Sequence, residues 1–189
     1  LQDMVRRYCR DAFIIARNDN SVRVLGELGV SAVSGTDTAW TFASPPLELG
    51  AEHLRQAGWD GEQPVLALCP INPFWWPVRA DLGKRINQFV TGQHTKEHYK
   101  SVYYHHGGDQ VDAAQTRYLR SIANATKRLQ AERDVFVILV GMEQLDRRAC
   151  EALNTMLDKA APLFISDEHD MYTMVSIIRN ASAMVSSRY

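Results

Sequence analysis

Three side chains that can accept or donate protons follow runs of apolar residues in this chain. Glu143 and Asp146 come after VFVILV, and His169 comes after PLFIS. Such runs are typical of buried strands, and open α/β sheets bind ligands beyond the carboxyl ends of their strands. We therefore predict that Glu143, Asp146 and His169 are candidate catalytic acids or bases. Helix capping is the alternative for the acids, with Asp146 or Asp167 as caps and Asp170 in a first turn.

A candidate cation lies at the end of the last apolar run. Arg188 follows AMVSS, and a guanidinium at a strand end can offer a planar, permanently charged fork to a carboxylate or phosphate. Taken alone, an ordinary surface arginine explains this position better. The prediction of a binding role therefore depends on the family resemblance described below.

The segment from 71 to 110 contains two adjacent tryptophans, Trp75 and Trp76, and most of the histidines. Long aromatic loops at the carboxyl end of a strand often line a ligand crevice, and an insertion that packs its own aromatics is equally compatible. His94 and His98 are one helical turn apart, but the glutamate between them is not placed as in a zinc-protease motif. Exposed histidines are the preferred interpretation, and no metal site is predicted.

A second histidine pair occurs in HHGGD. His105, His106 and Asp109 lie beside two glycines, and such a loop can approach an anion or a sugar closely. A helix entry with Asp109 as its N-cap explains the same residues. No Walker loop or G-x-G-x-x-G turn follows a strand, so no nucleotide cofactor is predicted.

Composition excludes several classes of protein. The chain has 189 residues and a net charge of −1 with no basic block, which argues against a protein that chiefly binds nucleic acid. Cys9, Cys69 and Cys150 include no Cys-x-x-Cys pair, so a reducing compartment is expected. No apolar run approaches the ~20 residues of a membrane span, and the first residues lack the pattern of a signal peptide. The start at Leu1 leads us to interpret the chain as a piece.

The elements that must position these residues alternate along the chain. Four continuous apolar runs, PVLALC, VFVILV, PLFIS and AMVSS, predict strands buried on both sides. Between them, stripes of apolar residues predict amphipathic helices, and a helix is also expected over 81–90. The fold class predicted is α/β, with a Rossmann-like parallel sheet and helices on both faces.

The first part of the chain shows a separate strand and helix pattern. A strand is predicted at Ala12–Ala16 and a helix at Asn20–Leu28, with Gly29 as its C-terminal cap. From 45 to 63 the sequence concentrates Pro, Gly and charge, which predicts a linker with a short helix near Glu52–Ala57.

Two stretches resemble the polysaccharide pyruvyl transferase family. In FIIARNDNSVRVLGELGV and the following TDTAW, a strand ends in Arg, an acidic-x-x-Ser motif opens a helix ending in Leu-Gly-Val, and an Asp follows. The matching positions are Arg17, Asp19 or Asn20, Ser21 and Asp37.

The second stretch, DMYTMVSIIRNASAMVSSRY, is similar to the closing signature of that family, in which a helix, a turn and a strand lead to Arg-x-His. Arg188 matches the arginine, and the histidine would be the next residue after Tyr189. Family members usually carry a basic residue after the first strand of the second domain, where this chain has CPINPFWWPVR, with Arg79 as the nearest candidate.

The resemblance implies a GT-B architecture of two Rossmann-like domains. Residues 1–44 would be the C-terminal part of the first domain, 45–63 the linker, and 64–189 the second domain, truncated at its C-terminus. It also implies transfer of a pyruvyl group from phosphoenolpyruvate to a sugar of a cell-surface glycan precursor, without a cofactor. These 189 residues alone are expected to be inactive, because a cleft between domains needs both walls.

Roles for individual residues follow from that resemblance. Arg188, Arg79 and Arg17 would bind the substrate anions, and Trp75 or Trp76, or Tyr104, would support the sugar ring. The missing histidine, His169, Glu143 or Asp146 would move protons.

The resemblance also implies partners and a location. The acceptor would be a glycan or a lipid-linked sugar, and the protein would be cytoplasmic, at the inner face of the membrane; a homo-oligomer is compatible with the sequence. A nucleotide-sugar glycosyltransferase of the same architecture and a non-catalytic carbohydrate-binding relative are the alternatives.

Overall fold

The computed structural model describes residues 1–75, 79–92, 103–104 and 107–187, without the side chains of Thr38, Arg79, Tyr103 and Tyr104. The chain divides into two compact units, Leu1–Ala43 and Ser44–Tyr189. The division falls at the start of the segment predicted to be a linker.

The first unit contains helix α1 (Gln2–Tyr8), strand β1 (Ile15–Ala16), helix α2 (Asp19–Glu27) and strand β2 (Val33–Ser34). The two strands pair in parallel. β1 is shorter than predicted, whereas α2 agrees with the prediction to within a residue. Gly29, at φ 71°, adopts the left-handed conformation that ends a helix, which confirms its predicted role.

The second unit alternates helices and strands, as the apolar runs predict. In chain order these are α3 (Leu47–Gln56), β3 (Val65–Cys69), β4 (Arg79–Ala80), α4 (Leu82–Thr91), β5 (Tyr103–Tyr104), α5 (Asp109–Glu132), β6 (Phe136–Gly141), α6 (Asp146–Asn154), β7 (Leu163–Ile165), α7 (Met171–Arg179) and β8 (Ala183–Ser186). Short 3-10 helices lie at Thr38–Thr41 in the first unit and at Pro73–Trp75 in the second.

Four of these strands form one parallel sheet in the order β7-β6-β3-β8. Counted along the chain, the order is third, second, first, fourth, so its direction reverses between β3 and β8. β4 and β5 form a separate antiparallel pair. The predicted α/β class with a parallel sheet is confirmed.

Helices cover both faces of the sheet. On one face, Leu66 and Leu68 of β3 pack with Leu119 of α5 and Leu153 of α6. On the other face, the alternate residues of β3 and β6 pack with side chains of α3 and α7; the buried members of this cluster are Leu54, Val65, Ala67, Cys69, Ile138, Val140, Phe164, Met174 and Ile177. Burial on both sides explains why the strands are continuously apolar.

Helix α3, which lies in the predicted linker, packs closely on α7 of the second unit. The backbone N–H of Gly50 donates to Ser176 Oγ at 2.7 Å, and this hydroxyl donates to the carbonyl of Pro46 at 2.5 Å. Asn180 Nδ2 donates to the carbonyl of Leu47 at 2.9 Å, and Arg179 donates to the carbonyl of Pro45. A Cβ on Gly50 would lie 2.3 Å from a backbone atom of Ser176, so only glycine permits this approach.

Two predicted N-caps are wrong, the cap of α5 by one residue and the cap of α7 by three. The N-cap of α5 is Gly108, at φ 113°, and Asp109 is the first helical residue. The N-cap of α7 is Asp170 rather than Asp167, and its carboxylate accepts from the N–H of Thr173 at 2.7 Å. That bond to the Thr173 N–H is the main reason the pKa of Asp170 lies below its ordinary value, and neighbouring His169 adds to the effect.

Candidate functional site

The carboxyl ends of β3 and β8 meet where the strand order reverses. In open α/β sheets, ligands bind in the crevice beyond this point. Here Ser187, just after β8, accepts hydrogen bonds from the backbone N–H of Ile71 at 3.3 Å and from the hydroxyl of Tyr118 at 2.6 Å. The end of β8 is thereby held against the end of β3 and against α5. Arg188, the next residue, lies outside the described residues.

A cavity of about 280 Å³ opens at the same edge of the sheet. Its walls include residues from the ends of three adjacent strands: Cys69 and Ile71, Val140 and Met142, and Met184 and Ser186. Among the described residues of the wall, Asp146 is the charged one. A mainly apolar cavity with a carboxylate and a serine can hold a small organic molecule with one polar end.

Asp146 is buried, with 4 % of its surface exposed. Its Oδ2 accepts from the backbone N–H groups of Met142 and Glu143 at 3.1 and 3.0 Å. These bonds close the turn between β6 and α6, and Asp146 is the first residue of α6 rather than its N-cap. Asp146 was predicted to cap the helix. Instead, its carboxylate fixes the loop that precedes the helix. Glu143 lies in this loop and is half-buried.

His169 lies after β7, two strand positions from β3. Its ring contacts His53 of α3 at a centroid distance of 5.2 Å and Phe164 at 5.8 Å. The loops that follow β6 and β7 are in contact, since Ser166 Oγ donates to the carbonyl of Met142 at 2.8 Å. Glu143 and Asp146 lie in or next to the first loop, and His169 lies in the second, where its ring packs on the aromatic side chains.

The motif positions of the first unit converge although they are distant in sequence. Arg17 Nη1 is 3.0 Å from Asp37 Oδ2, at the exits of β1 and β2. The hydroxyl of Ser34 donates to Asp19 at 2.8 Å. The backbone N–H of Ala39 and then the Arg17 guanidinium hold the pKa of Asp37 below its ordinary value.

Sequence reasoning missed the residue that caps α2. The Oδ1 of Asn18 accepts from the N–H of Ser21 at 2.8 Å. The sequence signal was present, because asparagine is among the preferred N-cap residues and precedes the helix here.

Asn72, just after β3, is a second residue that sequence reasoning missed. It is 3 % exposed and donates to Gln115 of α5 at 2.6 Å, while its Oδ1 accepts from the N–H of Phe74. The dipeptide Asn-Pro signals a turn, but nothing in the sequence shows that this side chain is buried. Asn72 fixes the loop that leads to Trp75.

One of the two tryptophans predicted to support a sugar ring lies in the 3-10 helix of the second unit. Trp75 is half-buried in the 3-10 helix, and the neighbouring Phe74 packs edge-on against Tyr118 at 6.4 Å. The backbone of Arg79 pairs with that of Tyr104, but the description does not include their side chains. Trp76 and the histidines at 94, 98, 105 and 106 lie outside the described residues.

The two cysteines of the second unit are buried. Burial, with a contribution from the negative charge of Asp146, raises the pKa of Cys69 to about 11 and that of Cys150 to about 12. Both groups are therefore neutral thiols at physiological pH, which makes them poor nucleophiles.

Two kinds of feature are absent from the described residues. Among them, no group of three His, Cys, Asp or Glu side chains is arranged to hold a metal ion. Within the same residues, every helix is too short or too polar to cross a membrane.

Comparison of the chain with protein-family models, curated proteins and solved structures finds no match. The family resemblance of the two sequence stretches therefore stays a prediction.

Proposed function

We propose that this chain is part of a polysaccharide pyruvyl transferase-like enzyme with a two-domain GT-B architecture. The observation that carries the proposal is the convergence of the first motif. Arg17 and Asp37, which are 20 positions apart, form a 3.0 Å ion pair where two parallel strands end, and Asp19 accepts a hydrogen bond from Ser34 of the second strand. The anchoring of Ser187 at the reversal point of the second sheet adds support, because Ser187 directly precedes Arg188 in the sequence and lies at the edge where such sheets bind ligands.

The reaction transfers the three-carbon unit of phosphoenolpyruvate to two hydroxyls of one sugar. The methylene carbon gains a proton, the first hydroxyl adds to the adjacent carbon and loses its proton, and phosphate leaves. The second hydroxyl then adds to the same carbon, loses its proton and closes a cyclic ketal. The site must therefore bind two anionic groups, transfer protons and hold a sugar ring.

The chain has candidate residues for each of these three requirements of the site. Arg188, Arg79 and Arg17 supply cations for the carboxylate and phosphate. Glu143 and His169 are the proton-transfer groups, whereas Asp146 chiefly shapes the loop that carries Glu143, since its Oδ2 is bonded to two backbone N–H groups. Trp75 and Trp76 offer apolar faces with polar edges to the sugar.

The proposed acceptor is a glycan or lipid-linked sugar at the inner face of the membrane. A polar, ring-shaped substrate suits aromatic platforms.

The test is calorimetric titration of the full-length protein with phosphoenolpyruvate and, separately, with nucleotide sugars. We expect saturable binding of phosphoenolpyruvate that is lost in Arg188→Ala and weakened at least about tenfold in Arg17→Gln, because each removes a charge-assisted contact. Arg23→Gln is the matched control, since Arg23 is an exposed arginine of α2 paired with Glu27; it should bind as the unaltered protein does.

Two outcomes would contradict the proposal. Binding of a nucleotide sugar without phosphoenolpyruvate would indicate a glycosyltransferase of the same architecture. Binding of glycan alone, unchanged in Arg188→Ala, would indicate a carbohydrate-binding relative.

A further inference from the structure

Helix α4 exposes four large apolar side chains. Leu82 is 71 % exposed, Ile86 65 %, Phe89 92 % and Val90 75 %. Single exposed apolar residues are common on protein surfaces, but several on one short element indicate an interaction site.

These side chains share one face of the helix. At 3.6 residues per turn they span an arc of about 100°. The opposite side carries Asp81, Lys84 and Gln88, which are half-buried; the ammonium of Lys84 lies beside Gly107, and its backbone N–H donates to Asp81 Oδ1 at 2.9 Å. The helix therefore turns its polar side toward the protein and its apolar side outward, which reverses the arrangement that water favours.

The charged residues of α4 are all positive. The ten residues of the helix include two cations, Lys84 and Arg85, and no carboxylate. Arg85 is exposed and flanks the apolar stripe, one turn before Phe89. Apolar side chains next to a cation are the pattern of helices that lie in the plane of a membrane surface, where the cation meets lipid phosphates.

We propose that α4 docks on a lipid bilayer with anionic headgroups, with Leu82, Ile86, Phe89 and Val90 inserted among the upper acyl chains and Arg85 at the phosphate level. A helix of ten residues is about 15 Å long, so it lies in the interface rather than crossing it. The inference goes beyond the proposed enzymatic activity and does not depend on it.

The test is sedimentation of the whole chain with vesicles of phosphatidylcholine, alone or mixed with equal parts of phosphatidylglycerol. We expect binding to the anionic vesicles, a bound fraction that falls at high salt, and weaker binding to the neutral ones. Ile86→Ser combined with Phe89→Ser should lower the partition coefficient by at least about tenfold, since each loses the transfer of a large apolar side chain.

The matched control is Val24→Ser combined with Leu47→Ser, which changes two apolar side chains that are 43 % and 47 % exposed on other helices. It should bind as the unaltered chain does. Because all four side chains are exposed, both double variants should keep the far-ultraviolet circular dichroism of the unaltered chain.

Three results would overturn the proposal. The first is no binding to anionic vesicles, and the second is equal binding by the Ile86→Ser, Phe89→Ser variant. The third is self-association in light scattering that disappears in this variant while no lipid binding is found, because a second copy would then be what covers α4. None of these measurements contains phosphoenolpyruvate, so their failure is distinguishable from failure of the proposed activity.

Discussion

Helices α3 and α4 are both amphipathic and ten residues long, but the surroundings of their apolar faces differ. α3 buries Ala51 and Leu54, with 5 % and 0 % exposed, against α7 and the sheet, whereas α4 leaves Phe89 92 % exposed. An amphipathic sequence thus specifies that a helix has an apolar face, but not what covers it. The apolar face of α3 packs against residues of the same unit. For the apolar face of α4, we infer that the contacting surface lies outside the protein.

The largest difference between the two helices should come from truncating their central apolar residues. Leu54→Ala should lower the free energy of unfolding by about 2–5 kcal/mol, because it leaves a cavity in a closed core. Phe89→Ala should change this free energy by no more than about 0.5 kcal/mol, since a ring that stays exposed to water in the folded protein contributes little to stability. Urea denaturation followed by circular dichroism measures both, and equal losses would contradict the contrast.

The close approach of α3 to α7 gives a second test. Gly50→Ala should destabilise the protein by about 3 kcal/mol, because the new Cβ would collide with the backbone of Ser176 and force the helices apart. Gly26→Ala is the control, since no atom outside the neighbouring residues and backbone of its own helix lies within 4 Å of a Cβ at that position; it should be neutral or stabilising. Similar unfolding midpoints for the two variants would show that α3 and α7 are not in close contact.

Removing one hydroxyl at the contact between α3 and α7, and one from α4, should give a smaller difference in stability. Ser176→Ala should cost about 1–3 kcal/mol, because the buried N–H of Gly50 and the carbonyl of Pro46 lose their partner. Thr91→Ala removes an exposed hydroxyl of α4 that bonds to the carbonyl of Asn87, and we expect a change within about 0.5 kcal/mol. Thermal unfolding of the two variants measures the difference, and a larger loss in Thr91→Ala would contradict the comparison.

The smallest effect concerns the cap of α7, the helix that covers α3. The pKa of Asp170 is lowered in the folded state, so its stabilising effect is present above the ordinary value of 3.8 and is lost as the pH falls through the lowered value. Asp170→Asn should therefore behave like the unaltered chain at neutral pH, because asparagine also caps helices, and should lose less stability on acidification. Melting temperatures between pH 7 and pH 3 test this, and parallel profiles would count against the lowered pKa.

The sheet could be predicted from the sequence because strands buried on both faces are continuously apolar. Helix starts were harder where two acids compete: Asp167 and Asp170 both fit a cap, and the geometry of the loop decides. The family motif singled out Arg17 and Asp37 as matching positions, but their ion pair is visible only in the structure. The burial of Asn72 was not predicted, since a polar residue before proline has the pattern of an exposed turn.

The site is predictable only in part, for a physical reason. Local patterns place Glu143 and His169 after strands, but the lateral order of strands sets the distance between them, and long-range pairing fixes that order. The outward orientation of α4 is also not predictable from local sequence. The pattern over 81–90 defines an apolar face of the helix, but it does not show whether that face turns toward the protein or away from it.

The buried thiols provide a built-in reporter of how the second unit opens. Cys69 belongs to the cluster under α3 and α7, and Cys150 to the cluster under α5 and α6, on the opposite face of the sheet. Cys150 is fully buried, so an alkylating reagent reaches it only when its face detaches, whereas Cys69 lines the cavity at the edge of the sheet and is 6 % exposed. The labelling rate of Cys150, read by mass spectrometry, therefore reports the opening of its helical layer, and the rate of Cys69 reports access to the cavity. Cys9 is half-buried in the first unit, so its labelling rate gives a reference for that unit in the same experiment.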